Sequence, residues 1–353
     1  MNANLAEPVL EPLTSAAQRQ GAHDVATRLA TLRDWLADDL ASLEAAIQGL
    51  HEVAPGGPPL DLAERSAAWL LERPGKRIRP LCVLLAARLG GRGFDRTVRD
   101  LAMAVELVHA ATLLHDDVID EGTERRGAST ARVVYGNSAS ILGGDHLLTV
   151  ALRRVASSAP HGVLTQLIEV IAEMVRAEAV QLERRGRFEP SRQTYLDVIS
   201  GKTAALFRWG LWAGGVVAEL SEVELAALSA AGVALGMAFQ LVDDAIDLES
   251  DGAESGKTPF ADLREGKLTW PLVVAVEREP GLVDEIRERI AEGGAGIDGA
   301  LVERIRRTGG VEATRLFAAD QAELADLELR KLPDGPARTA LLTVVETALR
   351  RSK

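Results

Sequence analysis

The sequence contains very little cysteine and few aromatic residues. Among its 353 residues there is one cysteine, Cys82, and Phe, Trp and Tyr together make up only 4%. A single cysteine excludes an internal disulfide and a cysteine-based metal cluster, and a reducing compartment is the simplest expectation. With so few aromatic side chains, the core must be built from Ala, Leu and Val. Because Ala and Leu are among the best helix formers, this composition favours helices.

Positive charge is also scarce. The chain has 40 Lys and Arg against 52 Asp and Glu, which gives a formal net charge of −12. Nucleic-acid binding depends on neutralising phosphates, so we expect no nucleic-acid partner. By net charge alone, any anionic ligand is disfavoured as well. The apolar fraction of 47% is ordinary for a globular protein, which excludes disorder as the main state.

Targeting and membrane segments are not evident. The first 20 residues contain no basic segment followed by an apolar one, so a secretory signal is not expected. The longest apolar run, residues 225–242, includes Ser229 and Gln240 and leads directly into Asp243 and Asp244. These features favour a buried core helix over a transmembrane span. We therefore predict a cytoplasmic protein with no transmembrane segment.

Helical periodicity dominates the chain. Residues 23–49 place leucines at three- and four-residue spacing, which is typical of an amphipathic helix. Residues 137–158 and 191–217 are also predicted to be helical, and no stretch shows the alternation of a strand, so no sheet is expected. The segments rich in Gly and Pro that interrupt the helices are short, so no long linker divides the chain. We predict one large all-α domain over residues 23–353, with about ten or more helices, after a flexible extension at residues 1–22.

Two aspartate clusters share the spacing Asp-Asp-x-x-Asp. The first consists of Asp116, Asp117 and Asp120, and the second of Asp243, Asp244 and Asp247. Each follows an apolar helical segment, and on a helix the first and fifth residues share one face about 6 Å apart. Carboxylates placed this way repel each other and are costly to bury unless a cation is present. Hard oxygen ligands without His or Cys suit Mg²⁺. A solvated acidic helix end would explain one cluster better than two.

Basic residues lie close to both clusters and in one further loop. They are Lys76, Arg77 and Arg79 in the loop, Arg125 and Arg126 after the first cluster, Lys257 and Lys267 after the second, and Lys202 at another helix start. A loop before a helix that offers backbone N–H groups, Lys and Arg suits a diphosphate. Each basic group alone is more often solvated surface. Their repeated placement beside the acidic clusters indicates a metal-bridged diphosphate site with a second anion pocket.

These segments together resemble the trans-type isoprenyl diphosphate synthases of the polyprenyl synthetase family. The resemblance covers roughly residues 60–350 and rests on Gly-Lys-Arg-Ile-Arg-Pro at 75–80, Leu-Leu-His-Asp-Asp-Val-Ile-Asp at 113–120, Gly-Lys-Thr-Ala-Ala-Leu-Phe at 201–207 and Phe-Gln-Leu-Val-Asp-Asp-Ala-Ile-Asp at 239–247. It implies an all-α isoprenoid synthase bundle around a central cavity, three Mg²⁺ ions per active site and a homodimer. Pro74 departs from the glycine that is usual in the family, and it removes one N–H donor.

The resemblance also implies a role for individual residues. The catalytic residues would be Asp116, Asp117, Asp120, Asp243, Asp244 and Lys202, with Mg²⁺ held by Asp116, Asp120 and Asp243 and supported by Asp247. The allylic diphosphate would contact Arg125, Lys202, Lys257 and Lys267. Isopentenyl diphosphate would be bound by Lys76, Arg79, His109 and Arg126. Thr203 and Gln240 would line the reacting centre.

The implied reaction joins isopentenyl diphosphate head-to-tail to an allylic partner, which is geranyl, farnesyl or geranylgeranyl diphosphate. Short-chain members of the family tend to have an aromatic floor four and five residues before the first aspartate cluster. Here those residues are Thr112 and Ala111, and Val108 lies further down the same helix. All are small, which predicts an all-trans product longer than 15 carbons. Alternatively, another helix supplies the floor through Ile141, Leu142, Phe207 or Trp209.

Three other functions remain open at this point. A geranylgeranyl diphosphate synthase would use the same chemistry and differ only in product length. A terpene cyclase would share the first cluster but normally carries an Asn/Ser/Glu-type second motif, where this chain has aspartates. A non-catalytic partner subunit usually lacks one cluster, and both are intact here.

Overall fold

The computed structural model describes residues 14, 15, 18, 22–51, 58–73, 75–125, 127–249, 260–292 and 297–350. The predicted substrate-binding residues Arg126 and Lys257 lie outside these ranges, as do Pro74 and most of the predicted N-terminal extension. The regular structure is almost entirely helical, so the predicted all-α class is confirmed.

Helices follow one another closely along the chain. The first are α1 (His23–Trp35), α2 (Ala37–Gln48), α3 (Leu62–Leu71), α4 (Ile78–Leu89), α5 (Arg96–Ile119), α6 (Ala131–Tyr135), α7 (Asn137–Ser158) and α8 (His161–Arg184). They are followed by α9 (Arg192–Ile199), a π-helical turn (Ser200–Ala204), α10 (Ala205–Val217), α11 (Glu222–Glu249), α12 (Ala261–Arg264), α13 (Trp270–Arg278), α14 (Leu282–Ala291), α15 (Gly299–Arg307), α16 (Gly310–Leu329) and α17 (Pro336–Leu349).

Three local features differ from the sequence-based prediction. A short antiparallel hairpin pairs β1 (Glu124–Arg125) with β2 (Ala128–Ser129), although no sheet was expected. The predicted helix at 23–49 is interrupted at Leu36, and the one at 191–217 contains the π-helical turn. The buried leucine repeat continues through Leu36, so hydrophobic spacing carries no signal of that break.

The chain divides into two compact units. The first comprises Met1–Ile168, Trp209–Ser229 and Leu329–Thr347, and the second comprises Glu169–Arg208, Ala230–Glu328 and Ala348–Lys353. The single domain over residues 23–353 therefore stays a prediction.

Close packing of α5 against α7 organises the first unit. Two adjacent glycines of α7 permit close approach, Gly144 to α5 and Gly143 to α3. A Cβ at Gly144 would lie 2.2 Å from Nε2 of His115, and one at Gly143 would lie 3.0 Å from Oγ of Ser66. The His115 ring reaches the carbonyl of Ile141 at 3.1 Å. The part of α5 that leads into the first aspartate cluster is thereby held against α7.

Glycines also allow α11 to pack closely in the second unit. A Cβ at Gly236 would lie 2.4 Å from the Cα of Ala204, and one at Gly232 would lie 2.5 Å from the Cα of Arg208. The π-helical turn therefore rests directly on the α11 backbone. Trp270 packs nearby in an apolar cluster of the same unit, with its ring 5.3 Å from that of Tyr195.

Helix α11 is long and apolar enough to cross a membrane by length and composition. Of its most apolar stretch, 61% is buried within the protein. A mostly buried helix of this kind is typical of a protein core and does not indicate a membrane protein.

Candidate active site

The first aspartate cluster lies where α5 ends. Asp95 caps the start of this helix by accepting a hydrogen bond from the Val98 N–H at 2.9 Å. At the other end, the Asp120 N–H donates to the carbonyl of Asp116 at 2.8 Å. Asp116 and Asp120 are therefore one turn apart at the helix end, and both are half-buried.

Asp117, the second residue of the cluster, has a different environment. It is only 2% exposed, and its carboxylate accepts a hydrogen bond from Nε of Arg125 at 2.7 Å. Burial raises the pKa of Asp117, and Arg125 opposes that shift. Arg125 belongs to the β1–β2 hairpin, and the Thr130 hydroxyl after the hairpin donates to the Gly122 carbonyl at 2.8 Å. The hairpin thus holds Arg125 against the aspartate cluster.

The second cluster repeats this arrangement with other partners. Asp244 on α11 is also 2% exposed. Its carboxylate accepts hydrogen bonds from the Tyr195 hydroxyl at 2.6 Å, the Gln240 amide at 2.9 Å and the Trp270 N–H at 3.1 Å. Burial, and after it the negative charge of Asp262, raises the pKa of Asp244 to about 7, while the three hydrogen bonds act in the opposite direction.

In both clusters, therefore, the second aspartate is buried and bonded to protein donors, while the first and fifth are half-buried. Among the residues that the structure describes, no three His, Cys, Asp or Glu side chains come together as a metal cage. Mg²⁺ does not require one, because it usually takes one or two carboxylates together with substrate phosphates. Half-buried carboxylates such as Asp116, Asp120 and Asp243 fit that ligand set.

The predicted residues Lys202 and Thr203 lie in the π-helical turn, a feature that is frequent at functional sites. The Lys202 ammonium contacts the Glu178 carboxylate and the Gln181 side-chain oxygen, the latter at 3.0 Å. The Thr203 hydroxyl donates to the Gln240 oxygen at 2.9 Å. Since the Gln240 amide in turn donates to Asp244, the residues predicted for the reacting centre are joined to the second cluster by hydrogen bonds.

Lys267, predicted to bind the allylic diphosphate, follows α12 in the second unit. Its ammonium is paired with the Glu265 carboxylate at 2.7 Å, and its side chain is largely buried. Its backbone N–H donates to the carbonyl of Asp262 at 2.8 Å, which closes the turn.

The predicted basic loop is shorter than expected, because α4 begins at Ile78 and Arg79 therefore lies in its first turn. Its basic residues are of two kinds. Lys76 and Arg79 are half-buried, and so is His109 on α5. Arg77 between them is 3% exposed and forms ion pairs with Glu44 and Glu106. Burial alone would lower the pKa of Arg77, but the two carboxylates raise it above its ordinary value.

The residues predicted to govern product length lie one to two helical turns before Asp116 along α5. Ala111 and Val108 are fully buried, and the Thr112 hydroxyl donates to the His109 carbonyl at 2.8 Å. Of the alternative floor residues, Ile141 and Leu142 are exposed, whereas Phe207 and Trp209 are buried.

Two residues that bond to Asp244 of the second cluster were not singled out by sequence reasoning. They are Tyr195 and Trp270. Tyr195 lies 49 residues from Asp244 along the chain, and Trp270 acts through its backbone N–H. Neither position carries a local pattern that would mark it.

Comparisons with known proteins identify the family. The family model for polyprenyl synthetase matches residues 61–298. Octaprenyl diphosphate synthase of Escherichia coli K12 is 35% identical over 327 residues, which cover 92% of this chain and 99% of that protein.

Two solved structures are similar over almost their full length. Decaprenyl diphosphate synthase from Rhodobacter capsulatus has a TM-score of 0.81 and 36% identity, covering 92% of this chain and 99% of that one. Polyprenyl synthase from Caulobacter crescentus CB15, complexed with calcium and isoprenyl diphosphate, has a TM-score of 0.83 and 33% identity, covering 93% and 98%. Because the family model matches residues 61–298 and the relatives are 33–36% identical over almost their full length, this protein belongs to the polyprenyl synthetase family.

Proposed function

We propose that this prenyltransferase joins isopentenyl diphosphate head-to-tail to an allylic diphosphate, releases diphosphate, and makes an all-trans product longer than 15 carbons. The observation that carries the proposal is the repeated arrangement of the two clusters. In each, the second aspartate is buried and hydrogen-bonded, while the first and fifth are half-buried at a helix end.

Magnesium fits this donor set. Asp116, Asp120 and Asp243 would hold three ions per active site, next to the supporting carboxylates of Asp117, Asp244 and Asp247. When bound, Mg²⁺ would neutralise the leaving diphosphate and assist cleavage of its bond to the allylic carbon. The calcium and isoprenyl diphosphate in the Caulobacter crescentus relative support a divalent cation together with such a substrate.

The chain's own residues would then orient the reactants. Thr203, Gln240 and Asp244 form a fixed line of hydrogen bonds, so their dipoles need no rearrangement as positive charge develops on the allylic carbons. The isopentenyl double bond would attack the allylic carbon from which the diphosphate has departed. The condensed product would then lose a proton to that diphosphate. Buried apolar residues such as Ala111 and Val108 keep water from the reacting cation.

The two diphosphates would use separate sets of cations. Arg125, Lys202, Lys257 and Lys267 would contact the allylic diphosphate. Lys76, Arg79, His109 and Arg126 would bind isopentenyl diphosphate. We further propose a cytoplasmic homodimer, as the family resemblance implies.

A long product is supported by two observations. The relatives named above include octaprenyl and decaprenyl diphosphate synthases. In this chain, Thr112 and Ala111 leave no aromatic side chain at the two positions where a floor would stand on α5, and Val108 follows them.

Product analysis tests the proposal directly. The protein is incubated with Mg²⁺, isopentenyl diphosphate and farnesyl diphosphate, and the products are identified by mass spectrometry. We expect a ladder of polyprenyl diphosphates that requires Mg²⁺ and disappears in Asp243→Asn. A product that stops at geranylgeranyl diphosphate would indicate the short-chain alternative. A cyclic hydrocarbon would indicate a cyclase, and no turnover a non-catalytic subunit.

A further inference from the structure

Arg77 forms a fully buried ion-pair cluster, which we call the Arg77 triad, with Glu44 and Glu106. Its Nε and Nη2 contact the two Glu44 carboxylate oxygens at 2.6 and 3.2 Å, and its Nη1 contacts Glu106 at 2.5 Å. The Arg77 side chain is 2% exposed, and the side chains of Glu44 and Glu106 are 10% and 5% exposed. All three types of guanidinium nitrogen are therefore engaged by carboxylates within the protein.

This burial removes Arg77 from the list of diphosphate ligands. Its neighbours Lys76 and Arg79 are half-buried, so the three cations of this segment are not equivalent. A buried ion pair is weak evidence for stability, because desolvation offsets much of its attraction. Its geometry is well defined, however, because a planar guanidinium bonds a carboxylate in a fixed orientation.

The backbone at Arg77 is unusual as well. The residue has a φ of 47° in the left-handed region and stands at the N-cap of α4. A non-glycine residue persists there only when its surroundings hold it in place. The triad provides that restraint, since Glu44 comes from α2 and Glu106 from α5.

The triad joins two elements that the proposed function assigns to one substrate. Lys76 precedes Arg77 in the loop, Arg79 follows it in the first turn of α4, and Glu106 lies one helical turn before His109 on α5. The Arg77–Glu106 contact therefore ties the loop to the turn of α5 that carries His109. We propose that Arg77, through Glu106, is a positioning residue that sets the isopentenyl diphosphate pocket; this inference rests on the proposed function.

The sharpest variant is Glu106→Met. It removes the link to α5 and leaves Arg77 and Glu44 as a balanced buried pair, which avoids an uncompensated charge. We expect the KM for isopentenyl diphosphate to rise about tenfold, as is common when a residue that orients binding groups is lost. The KM for farnesyl diphosphate should stay within about twofold. Removal of a nearby negative charge would by itself strengthen binding of an anion, so the sign separates positioning from simple electrostatics.

Glu44→Met is the matched control. It makes the same chemical change in the same triad, leaves a balanced Arg77–Glu106 pair, and keeps the loop tied to α5. Its KM for isopentenyl diphosphate should rise less than that of Glu106→Met, while thermal unfolding of the two variants should be similar. If Glu106→Met does not fold, Glu106→Gln carries the same test with a smaller expected rise.

The proposal is overturned if the folded Glu106 variant keeps or lowers its KM for isopentenyl diphosphate. It is also overturned if both substrates lose affinity equally, or if Glu44→Met has the same effect, because either result indicates general loosening. Wild-type protein that fails to elongate farnesyl diphosphate would instead contradict the proposed function, and that result is obtained before any variant is made.

Discussion

At the scale of single residues, the two clusters separate aspartates that can face a cation from aspartates that hold the cluster in place. Asp117 and Asp244 are the buried members, one bonded to Arg125 and the other to Tyr195, Gln240 and Trp270. A buried carboxylate is tolerated when such donors surround it. The neighbouring carboxylates are thereby held in a fixed orientation.

Tyr195→Phe tests this role at the second cluster. The change removes one of three hydrogen bonds to Asp244 and leaves a buried carboxylate less well satisfied, at a cost of about 1–3 kcal/mol. Because loss of such an orienting partner typically costs about 10–100-fold in metal affinity or activity, the Mg²⁺ concentration for half-maximal elongation should rise. Kinetics across a Mg²⁺ titration measure this.

The natural control is Tyr135→Phe, because Tyr135 is the only other tyrosine of the chain. Its ring packs edge-on against Trp69, and that contact does not involve an aspartate cluster. If both variants show the same Mg²⁺ dependence as the wild-type protein, Tyr195 has no part in positioning the cluster.

At the scale of elements, the spacing of apolar residues predicted most of the helices. The predicted helix at 137–158 coincides with α7. At the start of α3, Asp61 is the N-cap residue and forms a reciprocal capping box with Glu64. The π-helical turn was missed because the sequence Ser-Gly-Lys-Thr-Ala at 200–204 does not distinguish a π-helical turn from a weak stretch of α-helix. Its position depends on the approach of α11, which Gly232 and Gly236 permit.

Gly236→Ala tests that packing. The added Cβ would lie 2.4 Å from the Cα of Ala204, a backbone atom that cannot rotate away. We expect a loss of about 1–3 kcal/mol in unfolding free energy, as for overpacked cores. Turnover should also fall, because the displaced turn carries Lys202 and Thr203. Urea denaturation and elongation assays measure the two effects.

Gly162→Ala provides the comparison for this change. Gly162 lies in the first turn of α8, and a Cβ there would meet no atom within 4 Å. Alanine is a better helix former than glycine by up to about 1 kcal/mol, so this variant should be as stable as the wild type or more so. Equal stability of Gly162→Ala and Gly236→Ala would contradict the packing argument.

At the scale of the whole molecule, product length is the property that distinguishes members of this family. Ala111→Phe places an aromatic ring on α5 about one turn before Asp116, where it would act as a floor, and we therefore expect shorter products. Val108→Phe lies about 4.5 Å further along the helix and should permit a longer product than Ala111→Phe. Mass spectrometry of the prenyl ladder, with thermal unfolding as the folding control, measures both. An unchanged ladder in two folded variants would contradict the assignment.

The distribution of charge over the molecule explains how an acidic protein can act on anions. The net charge of −12 is an average over the chain, and six of the acidic residues belong to the two clusters. Cations such as Lys76, Lys202 and Lys267 are concentrated in a few segments. In the proposed function, local charge together with bound Mg²⁺ would therefore matter more for substrate binding than the net charge does.

The amino-acid sequence was sufficient to predict the helical class and the segments that carry the aspartates and cations, because these follow from composition and from spacing within a few residues. The family was indicated by the resemblance of its motifs. Tertiary structure alone decided that Asp117 and Asp244 are buried and that Arg77 is locked between two carboxylates. The physical reason is that burial and pairing depend on partners distant in the chain. Tyr195 lies 49 residues from Asp244, and Glu44 lies 33 residues from Arg77, so only folding brings each pair together.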